Sequence, residues 1–333
     1  MNNEHIDVIA TTISGSIADW GKVKHIVPLF NNHGYTNVSL FALGSHAEAR
    51  AKTRECIQNG TRIVISAGGS GTFNSVLEGC CDSGIDLHEI MLGFLRKGSA
   101  NLIGKTLGMP DEIEEAIKVF AESITAKRTA LCDVILAESE RGSQKPRHFV
   151  GYGGAEIFGE IPFYTENRFI KYYKGILSQL FGDLGPFFVG ASLASAGRIS
   201  RSILKGRRKW EVIVDHQKVT ESHYQAFIIV NGDLGKDLPL AKSMPLGSGE
   251  FYLFALRDFR LLKLPGQFKH TWDSSVSVDP ARWGFESYRI KESLQLKPDN
   301  DSVFDVNTDG STMKCIGSVR FRISDQIRLI ART

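Results

Sequence analysis

The chain has 333 residues, a length that suggests about two domains and allows a large buried core. Its 42% hydrophobic and 23% charged residues are ordinary for a globular protein, and a formal net charge of +3 is too small to argue for a polyanion, so no nucleic-acid partner is expected. The five cysteines (Cys56, Cys80, Cys81, Cys132 and Cys315) form no CxxC pair and are odd in number, which speaks against a disulfide framework or a zinc centre.

The first predicted strand is Ile6–Ala10. A helical spacing of Trp20, Val23, Ile26, Val27 and Phe30 follows within 18–32, with Gly34 where a helix C-cap is expected. Val38–Ala42 reads as a strand, His46–Gln58 as a helix, Ile63–Ala67 as a strand and Phe73–Leu77 as a helix. Ile90–Leu95 is a fourth strand, and Pro110-Asp111 opens a helix over Glu112–Glu122. This alternation predicts an open α/β sheet with crossover helices over residues 1–126.

The texture then changes. Strand-like runs dominate residues 127–324: Leu131–Leu136, His148–Val150, Trp210–Val214, Ala226–Val230, Phe251–Ala255, Tyr288–Lys291, Leu294–Lys297 and Val319–Ile323. One helical insert, Phe169–Phe181, interrupts them, and a β-rich second domain is expected. Residues 325–333 add a strand that would return to the first domain. The start, MNNEHIDVIA, lacks the regions of a signal peptide, and the chain has no apolar run of about 18 residues; the expected location is cytoplasmic.

The chemistry concentrates in Ile63–Gly79, IVISAGGSGTFNSVLEG, a strand, a glycine turn and a helix start. Backbone N–H groups in such a turn suit a phosphate. A dinucleotide fingerprint is excluded because Gly69-Ser70-Gly71 is followed by Asn74 where the third glycine belongs, and no G-K-[ST] motif is present. The bland alternative is a structural tight turn.

Further motifs recur in order. Thr11–Gly15 keeps Ser14 and Gly15 of a pattern N-P-x-S-G. Gly68, Gly69, Gly71, Thr72 and Asn74 match GGDGT followed by N-E-V, with Ser70 in place of the aspartate. Arg96-Lys97-Gly98-Ser99-Ala100-Asn101 follows P-x-G-T-x-N at Gly98 and Asn101, and Leu107-Gly108-Met109-Pro110 follows L-G-I-P. Asp133, Asn231 and Asp309-Gly310 complete the series, with Ser311 in place of the glutamate of D-G-E. Over residues 6–331 the chain resembles the lipid kinases of the diacylglycerol kinase and sphingosine kinase-like family, whose nucleotide loop NAD kinases share.

The resemblance implies an α/β nucleotide-binding domain of the NAD kinase/diacylglycerol kinase type, then a β-sandwich domain, with the active site between them. It implies transfer of the ATP γ-phosphoryl group to a lipid hydroxyl on diacylglycerol, a sphingoid base or a ceramide-like lipid. It places ATP at Ser14, Gly68, Gly69, Ser70, Gly71, Thr72, Asn74, Arg96, Lys97, Gly98, Ser99 and Asn101. The hydroxyls of Thr72 and Ser99 would donate to phosphate oxygens. Asp309 would accept the proton of the lipid hydroxyl; its alternative is a turn aspartate, since Asn307-Thr308-Asp309-Gly310 is good turn chemistry.

Ser70, Gly154 and Ser248 are neutral where the family has acids, which weakens the expectation of Mg2+ and opens the alternative of a degenerate member that binds nucleotide or lipid without turnover. Glu156 or Asp133 would be the compensating carboxylates, and the metal ligands stay unassigned. Arg96 and Lys97 either neutralise phosphate or face solvent. A basic cluster, Arg198, Arg201, Lys205, Arg207, Arg208 and Lys209, follows the apolar Phe181–Val189, and Phe259–Phe268 mixes Arg260 and Lys263 with leucines. Each is either a solvated loop or a patch that binds an anionic membrane surface peripherally. A homodimer is compatible with the chain, whose sequence does not set its oligomeric state.

Overall fold

The computed structural model describes residues 4–11, 23–96, 102–141, 144–165, 208–257 and 275–332. The helical insert Phe169–Phe181, most of the basic cluster and the patch Phe259–Phe268 lie outside them. The chain divides into two compact units, one of residues 1–134 and 325–333, the other of residues 135–324.

In the first unit the strands are β1 (Ile6–Thr11), β2 (Val38–Leu43), β3 (Ile63–Gly68) and β4 (Met91–Arg96). The helices are α1 (Ile26–Asn32), α2 (His46–Gln58), α3 (Ser70–Cys81), α4 (Leu102–Thr106) and α5 (Ile113–Thr125). The sheet runs β4–β3–β1–β2, all parallel, and the end of the final strand pairs parallel with β4 at Arg328↔Met91. β1 and β3 are buried along their whole length, as strands covered on both faces by crossover helices must be. α5 turns Ile113, Ala116, Ile117, Phe120 and Ile124 inward at helical spacing, with Glu114 and Glu115 in its first turn to favour the dipole. α2 starts where Ser45 accepts from the Glu48 amide at 3.1 Å while the Glu48 carboxylate accepts from the Gly44 amide at 2.8 Å, a reciprocal cap. The chain enters β2 on one side of β1 and β3 on the other, so the order switches between β1 and β3. In such sheets ligands gather beyond the carboxyl ends of the strands at the switch.

The second unit is built from β5 (Thr129–Arg141), β6 (Arg147–Phe149), β7 (Tyr152–Glu156), α6 (Ile157–Thr165), β8 (Lys209–Val214), β9 (Gln217–His223), β10 (Ala226–Val230), β11 (Phe251–Leu256), α7 (Ser275–Val278), β12 (Phe285–Ile290), β13 (Leu294–Pro298), β14 (Phe304–Thr308) and β15 (Ser311–Ile330). The unit boundaries fall inside β5 and β15. One antiparallel sheet runs β12–β11–β10–β7–β14–β15, and a second joins β15 to β13, β8 and β9 and carries β5 and β6. β15 pairs with β14 up to Cys315 and with β13 from Val319. Gly317, at φ 78°, supplies the bend between, a conformation open to glycine and costly to other residues. One buried cluster draws Phe227, Leu253 and Val306 from the first sheet and Val212, Leu296 and Val319 from the second, which makes this unit a β-sandwich. At its centre Trp210 meets Phe227 and Phe304 edge-on, with ring centroids 5.2 and 5.0 Å away; each such pair adds about 1 kcal/mol beyond area burial.

Candidate functional site

In the first unit, Gly68 ends β3, Gly69 caps α3, and Ser70 and Gly71 begin the helix. Gly69 sits in extended backbone and contributes no side-chain cap, and the first turn of α3 holds no acidic residue. The leading N–H groups of a helix have no intrahelical partner, so this end is electropositive and suits an anion. The glycines are steric requirements. A Cβ at Gly68 would stand 2.4 Å from Thr72 Oγ1, and one at Gly71 would stand 2.8 Å from His46 Cε1. Ser70 is half-buried.

Thr72 is wholly buried, and its hydroxyl oxygen lies 2.6 Å from that of Thr11. It therefore ties the end of β1 to the start of α3. Asn74 is also buried, one turn further on. The far half of α3 is pinned by Arg50, which pairs with Asp82 at 2.5 Å and buried Glu78 at 3.3 Å. The Asp82 hydrogen bond is the main cause that raises the Arg50 pKa. Of the other expected nucleotide residues, Arg96 ends β4, while Ser14, Lys97, Gly98, Ser99 and Asn101 lie outside the described residues.

Two further features of this unit lie at the opposite ends of the strands. A cavity of about 320 Å³ is lined by His5, Asp7, Phe41, Lys52, Cys56 and Thr61. Asp86, His88 and Asp325 bring ligand atoms within 4.8 Å of one another just before β4. Asp133 is buried and accepts from Gln326 Nε2 at 2.6 Å.

In the second unit, Asp309 and Gly310 form the two-residue turn between β14 and β15, at φ 47° and 82°. Two positive φ values define the turn type that suits the twist of a hairpin, and Asp-Gly favours it. The Asp309 carboxylate is buried and accepts from three successive amides: Val150 at 2.8 Å, Gly151 at 3.1 Å and Tyr152 at 2.8 Å. In return the Asp309 amide donates to the Tyr152 carbonyl at 2.8 Å. Burial pushes the carboxyl up to about 6, although the three amides pull the other way. The Tyr152 phenol is raised as well, by burial first and by the charge of Asp309 second. A carboxylate near neutrality in a buried setting is what a general base requires.

The neutral positions divide. Ser248 is exposed, and its hydroxyl donates to the Glu250 carbonyl. Gly154 lies inside β7 between β10 and β14, where a Cβ would come 2.0 Å from the Phe227 carbonyl oxygen. No side chain fits there, so Gly154 is a packing requirement of this sheet. Glu156 is buried, accepts from Trp210 Nε1 and lies 3.6 Å from Arg208, so it anchors the sandwich. Arg208 stacks over Trp210 and Phe304, and Lys209 pairs with Glu221 at 2.6 Å. These two members of the basic cluster spend their charge inside the unit.

Residues 5–133 match the family model of the Diacylglycerol kinase catalytic domain, the segment that carries β1, β3 and the glycine turn. Over that segment the chain is similar to diacylglycerol kinases. It is 23% identical over 218 residues to a diacylglycerol kinase of Staphylococcus haemolyticus, a match spanning 61% of the chain and 60% of the relative. It is 23% identical over 145 residues to that of Staphylococcus carnosus, spanning 41% of the chain and 43% of the relative. The crystal structure of a diacylglycerol kinase from Bacillus anthracis superposes with a TM-score of 0.64 at 15% identity, covering 99% of the chain and 98% of that structure. A second structure from Bacillus anthracis gives a TM-score of 0.69 at 17% identity, covering 99% of the chain and 96% of that structure. At these identities the superpositions establish the fold: an α/β unit followed by a β-rich unit.

Sequence reasoning missed Thr11, Val150, Gly151 and Tyr152. The first betrays itself only as a hydroxyl at a strand end; the other three act through backbone amides and leave no side-chain signal.

Proposed function

We propose that the chain transfers the γ-phosphoryl group of ATP to a lipid hydroxyl on diacylglycerol, a sphingoid base or a ceramide-like lipid. The observation that carries this reading is the glycine turn opening α3 with neither side-chain cap nor carboxylate, inside the segment matched by the kinase catalytic domain. In the first unit, the amides from Gly69 to Thr72 bind phosphate oxygens, and Thr72 and Thr11 hold the turn in place. Ser14, Asn74, Arg96, Lys97, Gly98, Ser99 and Asn101 complete the nucleotide set. In the second unit, Asp309 takes the proton of the attacking hydroxyl. Phosphoryl transfer needs little covalent help from the protein, so positioning and charge neutralisation carry the rate.

The residues of the turn do not fit a magnesium ion held by protein carboxylates, because Ser70 is neutral and the first turn of α3 has no acid. The fit to nucleotide phosphate, by contrast, is direct. We further propose a cytoplasmic protein, peripheral on anionic membrane; no helix of the described residues is long and apolar enough to cross one. A homodimer would be counted by sedimentation velocity.

The test is purified protein with labelled ATP, magnesium and a total lipid extract. A phosphorylated lipid is expected, and Asp309→Asn abolishes it. Absence of product across lipid classes and several divalent metals overturns the reading. The neutral Ser70 turn favours a second reading, nucleotide binding without turnover, which predicts a thermal shift with ATP and no product.

A further inference from the structure

Two hydrogen bonds from one residue reach the peptide groups that hold Asp309. Asn231 Nδ2 donates to the Val150 carbonyl at 2.8 Å, and the Asn231 amide donates to the Gly151 carbonyl at 2.9 Å. The Val150 carbonyl belongs to the same peptide plane as the Gly151 N–H, and the Gly151 carbonyl to the same plane as the Tyr152 N–H. Both N–H groups point at the Asp309 carboxylate. We propose that Asn231 is a positioning residue for Asp309, gripping from behind the two peptide planes that aim their N–H groups at its carboxylate.

The physical reason is polarisation along a chain of hydrogen bonds. A donor on a peptide carbonyl draws charge toward oxygen and makes the N–H of that peptide a better donor, an effect that low local dielectric strengthens. Asn231 is wholly buried, as is the Val150–Gly151 segment it grips. On the other side of the turn, Asn307 Oδ1 accepts from the Gly310 amide at 2.8 Å, which fixes the conformation that presents Asp309. The grip therefore favours the ionised carboxylate and fixes its direction. Among the described residues, the titratable group facing Asp309 is Tyr152, whose phenol stays neutral through the working range.

The inference rests on Asp309 being the proton acceptor, but its test does not need turnover. In the unmutated protein, carboxyl-selective 13C labelling reads the Asp309 midpoint, and the side-chain amide resonances of Asn231 are followed through the same titration. They are expected to move with that midpoint; amide resonances that stay flat overturn the proposal. In Asn231→Ala and the milder Asn231→Ser, the Asp309 midpoint is expected to rise by about half a unit. Leu296→Ala, a core truncation elsewhere in the sandwich, serves as the control and is expected to lower the melting temperature with the midpoint unmoved. Asn231 variants that melt lower with an unchanged midpoint show a structural role only and overturn the proposal. A protein that phosphorylates no lipid yet shows the coupled titration overturns the kinase reading and leaves this one standing.

Discussion

Asp215 and Asp309 each open a two-residue hairpin turn in the left-handed region, at φ 46° and 47°. Each carboxylate accepts from three successive amides of a neighbouring loop, those of Lys291, Glu292 and Ser293 for Asp215 and those of Val150, Gly151 and Tyr152 for Asp309. Each aspartate amide donates back to the third residue of that loop, Ser293 or Tyr152, at 2.8 Å. The wiring is the same and the electrical result is opposite. At Asp215 burial pushes the pKa up, but the amides and His216 outweigh it and the carboxyl ends below its usual range. At Asp309 burial outweighs the amides, and the carboxyl ends at about 6. An amide nest by itself is thus a hairpin latch; the same nest out of reach of water holds a carboxyl whose pKa is raised toward neutral pH.

The largest effect should come from Gly154→Asp, two residues beyond the nest. With its Cβ driven against the Phe227 carbonyl, β7 must move, and a loss of about 4 kcal/mol or more is expected in denaturant unfolding. Survival at wild-type stability would show that the strand carrying the nest is not tightly held.

Asp309→Asn comes next. Activity should fall below detection, a loss of at least roughly a hundredfold. Stability carries a second signature. The folded pKa of Asp309, about 6, lies above its ordinary value of 3.8, so the folded state binds the proton more tightly. That contribution is fully present below about pH 4 and is lost as pH rises through about 6, about 3 kcal/mol in all. The variant should flatten this slope in pH-dependent melting; an unchanged slope would assign it to another group.

Asp215→Asn should do less, about 1 kcal/mol. Its sign is reversed: the depressed folded pKa stabilises above the unfolded value, and the benefit is lost as pH falls through the folded value. Activity should be unchanged.

The smallest effect is a carboxylate introduced by Ser70→Asp, at the N-terminal turn of α3. It should stabilise the helix end by about 0.5 kcal/mol, weaken ATP binding in the absence of metal and strengthen it with magnesium, as titration calorimetry would read. Weaker binding in both conditions would show that the turn is built around the hydroxyl.

Much of the first unit is legible because its signals are local. The apolar run 63–67 reads as a buried strand and the pattern of 46–58 as a helix, and both form with nearly those bounds. β7, YGGAE, hides because two glycines erase the alternation, and β9, QKVTESH, because a strand that pairs, among the described residues, with β8 alone has little to bury. β14 was obscured by its own turn residues, Asn307 and Thr308. At the candidate site the glycine turn is visible as letters, whereas the inward hydroxyl of Thr72 and the steric crowding at Gly154 depend on neighbours 61 residues away in one case and on β10 in the other.

By itself the sequence determined the order of strands and helices in the first unit, the change from α/β to β-rich texture, the turn at Gly68–Gly71 and the turn chemistry of Asn307–Gly310. Those follow from periodicity and backbone preference, which act over a few residues. Only the tertiary structure decided what Asp309 is chemically. Its three amides and the asparagine behind them come from segments 78 to 159 residues distant, and burial by those segments sets the sign of its pKa shift.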